Sequence, residues 1–212
     1  MPGSLCGVAL GRDRTLLGVE PIGPQSRHDD ALLPAIDHLT RRLNFAPRDI
    51  ARIAVSVGPG GFTGLRIAVA AAKLIALANN AKCVAVPTAH VVAARVEPNG
   101  APFAVALNAK NESAYVASFD AAGGFLAGAA VDAAALAALG IRRLFADRFL
   151  PESFRVEGAR LGITIHPPIF DPAACLACSF AFPELDPVDL LPLYAREPEA
   201  VTKWRELHGG RS

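Results

Sequence analysis

The spacing of apolar positions changes along the chain, and each change predicts an element. Apolar residues crowd positions 5–10 and 15–19 with Gly11-Arg12-Asp13 between them, which predicts two strands joined by a tight turn. The period then becomes helical. Leu32, Ile36, Leu39 and Leu43 fall at i, i+4, i+7 and i+11 and predict a helix over 27–43. Asp29, Asp30 and Asp37 precede Arg41 and Arg42 on that helix, the order its dipole favours, and Pro47 ends the element. A strand follows over 52–57, then a glycine-rich turn, a long apolar helix over 65–80, a strand over 83–86 and a short helix over 88–96.

Pro98-Asn99-Gly100 combines turn residues with a change of pattern and marks a boundary, giving an N-terminal lobe of 1–97 and a C-terminal lobe of 98–212. Positions 103–107 and 114–119 read as paired strands. The alanine- and glycine-rich stretch 121–140 predicts a helix over 132–139, and 151–198 reads as proline-rich and irregular. Strands alternating with helices predict an α/β architecture.

Composition narrows the function classes. Of 212 residues, 52% are hydrophobic and 19% charged, enough apolar surface for a sizeable core. The net charge is +1, from 21 basic and 20 acidic side chains, which argues against a freestanding nucleic-acid binder. Four cysteines, Cys6, Cys83, Cys175 and Cys178, are too few for a disulfide scaffold in so long a chain. The longest apolar stretch, 67–78, is interrupted by Lys73 and falls short of the roughly 20 residues of a membrane span. No secretory signal is read at the N-terminus, and the expectation is a cytoplasmic protein with no membrane partner.

The most informative stretch is Gly58-Pro59-Gly60-Gly61-Phe62-Thr63-Gly64, where a strand hands over to a helix. Glycines there permit positive φ and close approach, Thr63 could cap the helix, and free N–H groups at such a terminus attract anions. A phosphate cradle and a structural tight turn are both open readings. The Walker pattern needs a lysine after its last glycine, where Leu65 stands. The dinucleotide pattern needs a third glycine, where Thr63 stands. The helix after the turn is apolar around its whole circumference, with only Arg66 and Lys73 charged. Such a helix is buried on most sides, by its own chain or by a partner subunit.

The run Ser56-Val57-Gly58-Pro59-Gly60-Gly61-Phe62-Thr63-Gly64-Leu65-Arg66-Ile67 resembles the signature of the TsaB (YeaZ) family, with Gly61 in place of the family's serine. Arg27-His28 followed by Leu33-Pro34 and Ile36 resembles the family's first helix, and Pro192-Leu193-Tyr194-Ala195-Arg196 with Lys203 resembles its ending. The resemblance implies a two-lobed ASKHA (actin/Hsp70-like, RNase H-like) fold. It implies a non-catalytic relative of TsaD that joins TsaD and the ATPase TsaE in making N6-threonylcarbamoyladenosine at position 37 of tRNAs reading codons that start with A. On this reading tRNA is met through the complex. The chain has no cofactor of its own, and ATP or ADP belongs to the complex. TsaD would dock on the two N-terminal helices, at Leu32, Leu33, Ile36, Leu39, Arg66, Ala70, Ala71, Lys73, Leu74 and Leu77. A homodimer through the same helices is expected without TsaD.

The resemblance also locates departures. The helix that carries a His-x-x-x-His metal pair in TsaD corresponds to Thr88-Ala89-His90-Val91-Val92, with Thr88 and Val92 at the ligand positions, so no metal is expected. The strand that opens family members is absent, since Ser4-Leu5-Cys6-Gly7-Val8-Ala9-Leu10 matches their second strand. The family's Asp-Ala-Arg-x-Gly-Glu-x-Tyr reads Asn108-Ala109-Lys110-Asn111-Glu112-Ser113-Ala114-Tyr115 here. Cys175-Leu176-Ala177-Cys178 has redox spacing without a thioredoxin-like context and reads as two buried thiols on one helix. The tail residues Arg196, Lys203, Trp204, Arg205, His208 and Arg211 could touch tRNA or stay solvated. Two other functions stay open: a small ASKHA kinase or ATPase using Gly58 to Gly64, and a self-associating interaction module.

Overall fold

The structure, a computed structural model, describes residues 6–23 and 28–195; for 28–30 and 108–110 only the backbone is described. The tail residues Arg196, Lys203, Trp204, Arg205, His208 and Arg211 lie outside the described residues, as do Ser4, Leu5 and Arg27.

The chain opens with a hairpin. β1 (Cys6–Arg12) pairs antiparallel with β2 (Thr15–Ile22), and Asp13 takes a positive φ in the turn. α1 (His28–Arg42) packs over the hairpin with Ala35, Leu39 and Thr40 buried. β3 (Arg52–Gly58), α2 (Phe62–Asn79) and β4 (Lys82–Pro87) form a βαβ unit with parallel strands. Val55, Val57 and Cys83 of this unit meet Val69, Ala72 and Ala76 of α2 in one core. Among the described residues, the β1–β2 and β3–β4 ladders are not joined by hydrogen bonds into one sheet.

After α3 (Thr88–Ala93) comes a five-stranded sheet of order β7-β6-β5-β8-β9. β5 (Phe103–Lys110), β6 (Ser113–Phe119) and β7 (Phe125–Asp132) run antiparallel, while β8 (Arg143–Ala146) and β9 (Thr164–His166) run parallel to β5. One face buries Ala104, Val116 and Leu144 against a 3₁₀ turn (Ala133–Ala138) and Phe154 of α4 (Glu152–Arg160). The other face buries Phe103, Val105 and Phe119 against Ala89 and Val92 of α3. α5 (Pro172–Ser179), capped by the Asp171 carboxylate accepting from the Ala173 N–H at 2.8 Å, packs against β1, β3, β4 and α3.

Several elements differ from the sequence expectation. α2 starts at Phe62, with Gly61 at the cap and no side-chain cap bond, so Thr63 sits inside the first turn rather than capping it. The short helix ends at Ala93, not at 96. The expected helix over 132–139 is a 3₁₀ turn, and β7 precedes it. β7 is an exposed strand with alanine and glycine over 127–130 and no apolar period to read; its register comes from pairing with β6, where Tyr115 fills the space over Gly128. The stretch 151–198 holds α4, β9 and α5.

Candidate functional site

The last described segment wraps back over the βαβ unit. Cys83 and Leu185 exchange backbone hydrogen bonds of 3.0 and 2.8 Å along the outer edge of β4. Lys82 pairs with Asp186, a bond that raises the lysine's pKa. The Lys73 ammonium donates to the Val188 carbonyl at 3.0 Å. Leu190 is fully buried in the α2 core. This strap arrives at the glycine-rich turn, where Tyr194 meets Phe62 with ring centroids 5.5 Å apart. Arg66 lies between them: its guanidinium sits 3.7 Å over the Phe62 ring and its Nε donates to the Tyr194 hydroxyl at 3.2 Å.

The glycines of the turn are not equivalent. Gly58 has φ +110°, and a Cβ there would lie 2.6 Å from the Leu193 carbonyl and 2.8 Å from the Leu65 side chain. Its N–H donates to the Thr88 hydroxyl at 3.0 Å, and that hydroxyl also bonds Ser56 at 2.8 Å. Pro59 is fully buried. A Cβ on Gly60 would only touch Leu65 at ordinary distance, while Cβ atoms on Gly61 and Gly64 would meet nothing. Phe62 and Thr63 are exposed.

The apolar circumference of α2 divides between two uses. Leu65, Val69, Ala72 and Ala76 are buried. One residue further along, a second stripe of Arg66, Ala70, Leu74 and Leu77 is rotated by roughly 100° and exposed. Leu74 is 68% and Leu77 59% exposed, and Leu33 on the adjoining α1 is 57% exposed. Leu32 and Ile36 on α1 and Ala71 on α2 are half-buried. Leu39 is buried at 1%, close to Gly18 of β2, and Lys73 is held by Val188. Among the described residues, burial by the chain's own layers therefore accounts for one side of α2 only. By length (18 residues) and mean hydropathy (1.4) α2 is apolar enough to cross a membrane. Its buried stripe is built into the β3–β4 core.

Metal and thiol chemistry have little material. Among the described residues no group of three or more His, Cys, Asp or Glu side chains could hold a metal ion. Thr88 and Val92 are buried, Thr88 in the Ser56–Gly58 hydrogen bonds. His90 contacts three phenylalanine rings, and burial lowers its pKa. All four cysteines are free. Cys175 and Cys178 lie together on α5 as expected, but both are half-buried rather than buried; desolvation, and secondarily Cys178, push the Cys175 thiol up to about 12. The strap's hold on the turn is the feature sequence reasoning missed. Only the Pro192-Leu193-Tyr194 run hinted at it, because its partners lie far away in sequence.

A sequence profile of the family described as TsaD: tRNA N6-adenosine threonylcarbamoyltransferase matches residues 12–162. The "tRNA threonylcarbamoyladenosine biosynthesis protein TsaB" of Bacillus subtilis (strain 168) is 33% identical over 88 residues, covering 42% of this chain and 38% of that protein. The chain thus aligns with well under half the length of that curated relative. Two solved structures share the fold. A Pseudomonas aeruginosa protein described as similar to peptidase YeaZ superposes with a TM-score of 0.66 at 23% identity, over 91% of this chain and 95% of that one. YeaZ from Pseudomonas aeruginosa superposes with a TM-score of 0.63 at 21% identity, over 90% and 94%.

Proposed function

The chain belongs to the TsaD family of tRNA N6-adenosine threonylcarbamoyltransferases as a TsaB (YeaZ)-type member, and from that premise we propose that it is a non-catalytic partner subunit in the synthesis of N6-threonylcarbamoyladenosine on tRNA. The observation that carries this reading is the apolar stripe of α2 that the described residues leave uncovered, with Leu33 also exposed on α1, which packs against α2. Large side chains exposed together on two packed helices mark a binding surface, and burying each leucine contributes about 1–2 kcal/mol. The occupant is TsaD, offering apolar helices of its own, and TsaE joins the pair. Leu33, Ala70, Leu74 and Leu77 make the contact, with Leu32, Ile36 and Ala71 flanking them. Leu39 supports α1 from below, and Arg66 and Lys73 brace the strap that edges the surface. The lobes divide near 98–100, and the protein works in the cytoplasm, where tRNA is modified.

The Gly58–Gly64 turn serves as a structural hinge of this surface rather than a phosphate cradle. Supporting this, the Gly58 N–H is spent on Thr88 and the Leu193 carbonyl lies over its Cα. The test is size-exclusion chromatography with light scattering on the chain mixed with its cognate TsaD. A one-to-one complex that Leu74→Glu dissolves supports the proposal; two folded proteins that ignore each other refute it. A homodimer lost on the same substitution, formed only when TsaD is absent, agrees with it.

A further inference from the structure

A cavity of about 610 Å³ opens between α3, the end of α5 and the β6–β7 turn. It lies on the α3 face that carries His90, Ala93 and Ala94, away from Thr88 and the glycine-rich turn. Its size is that of a small-molecule site.

The wall is aromatic. Phe103, Phe119, Phe125 and Phe182 line it together with His90. The imidazole meets Phe119 and Phe182 edge-on at 5.6 and 5.2 Å and lies tilted against Phe125 at 5.0 Å. Alanines and a glycine make up much of the remaining wall and leave the space open. No charged side chain is among the described residues of the lining, so a phosphate or carboxylate would find no counter-charge. Phe125 stays 47% exposed at the rim, a ring face that water covers poorly.

The one ionisable base in the wall has a defined role. His90 Nδ1 is shut away from solvent with no hydrogen-bond partner. An unused lone pair costs less than an orphaned N–H, so the ring proton belongs on Nε2. The ring that lines the cavity thereby offers a single donor amid apolar surface. Flat aromatic surfaces with one fixed polar group are how proteins hold and orient flat ligands.

We propose that this cavity binds an uncharged, flat heteroaromatic molecule with a hydrogen-bond acceptor, packed against Phe119, Phe125 and Phe182 and accepting from the His90 Nε2–H. The probe is quinoline, which is neutral at the pH of the test and carries one ring-nitrogen acceptor; indole, of similar shape with only a donor, is the comparison. Saturation-transfer NMR and calorimetry read binding to the full chain, and a long-range proton–nitrogen spectrum reads the His90 ring directly. Quinoline is expected to bind in the millimolar range, more tightly than indole, and to shift the His90 Nε2 signal. Ala181→Phe, which fills the cavity from an exposed position, is expected to abolish binding. His90→Phe, which keeps a flat ring and deletes the donor, is expected to weaken it about five- to tenfold. Circular dichroism confirms that each variant is folded. No transfer to quinoline from the folded wild type overturns the proposal, as does binding that Ala181→Phe leaves intact. Equal affinities of wild type and His90→Phe, or a His90 signal that quinoline does not move, overturn the assigned donor.

Discussion

The backbone N–H of Leu193 donates to the carbonyl of Val57 over 2.8 Å, fastening the end of the strap to the end of β3. The next residue after Val57 is Gly58, and the Leu193 carbonyl occupies the space that any Cβ there would need. The family-like motif and the chain's last described residues are thus one structural unit. The order of the turn depends on a segment more than a hundred residues away, and the strap in turn lies along α2 through Lys73, Leu190 and Arg66.

Gly58→Ala meets both a positive φ and a backbone oxygen at 2.6 Å. Neither obstacle is a flexible side chain that could step aside. The expected loss is about 2–4 kcal/mol of unfolding free energy, read from urea denaturation with unchanged slope. A loss below about 0.5 kcal/mol would mean that the strap does not hold the turn as described.

Gly64→Ala is expected to act in the opposite direction. Gly64 is the third residue of α2, and its Cβ would meet nothing. Removing a glycine from a helix typically gains about 0.5–1 kcal/mol. A higher thermal midpoint of the isolated protein checks this. If binding to TsaD weakens at the same time, the open space at Gly64 is part of the contact.

Much of the N-terminal half was legible in sequence because its signals are local. The leucine period of α1 and the switch from strand to turn to helix at Gly58 can each be read in a few residues. In the C-terminal half the paired strands β5 and β6 were equally legible, while β7 and α4 were hidden for physical reasons. β7 has no alternation because it is exposed along nearly its whole length and its middle, 127–130, is alanine and glycine. α4 is too short to establish a period, and α5 was marked only by its Cys175–Cys178 spacing. The partner face was half legible. The sequence marks α2 as apolar all round, yet only packing separates the stripe used by β3 and β4 from the stripe left over. Leu39 was grouped with the surface residues and is found buried at 1%. Leu39→Ala should cost about 2–5 kcal/mol, an effect on the fold rather than on docking alone.

His90 predicts a pH dependence. Burial places its folded pKa below the usual 6.5. As pH falls through about 6.5 the unfolded chain takes up a proton that the folded chain refuses, so His90 lowers stability on the acid side. The thermal midpoint of the wild type should therefore drop more than that of His90→Phe between about pH 7.5 and about pH 5.5. Parallel curves for the two proteins would contradict a half-buried imidazole kept neutral by desolvation.

The thiols should react in order of access. Cys6 is exposed, Cys83 is buried, and Cys175 has its pKa pushed up to about 12. Desolvation thus keeps the Cys175 thiol protonated at about pH 8, and the thiolate is the reactive form. Labelling of the folded protein with a thiol-specific reagent, followed by peptide mass mapping, should modify Cys6 first and Cys175 only on unfolding. Modification of Cys175 in the native protein as fast as that of Cys6 would contradict a thiol held protonated by desolvation.

The central claim is that the exposed stripe of α2 is a seat for TsaD. It is tested most directly by light scattering on an equimolar mixture of the chain and its cognate TsaD, wild type against Leu74→Glu. Leu74 is 68% exposed, so the substitution should leave the isolated protein's stability within about 0.5 kcal/mol. A one-to-one complex for the wild type, and two separate species for the variant, is the predicted result. A complex that forms equally well with Leu74→Glu, or no complex between two folded wild-type proteins, would contradict the account.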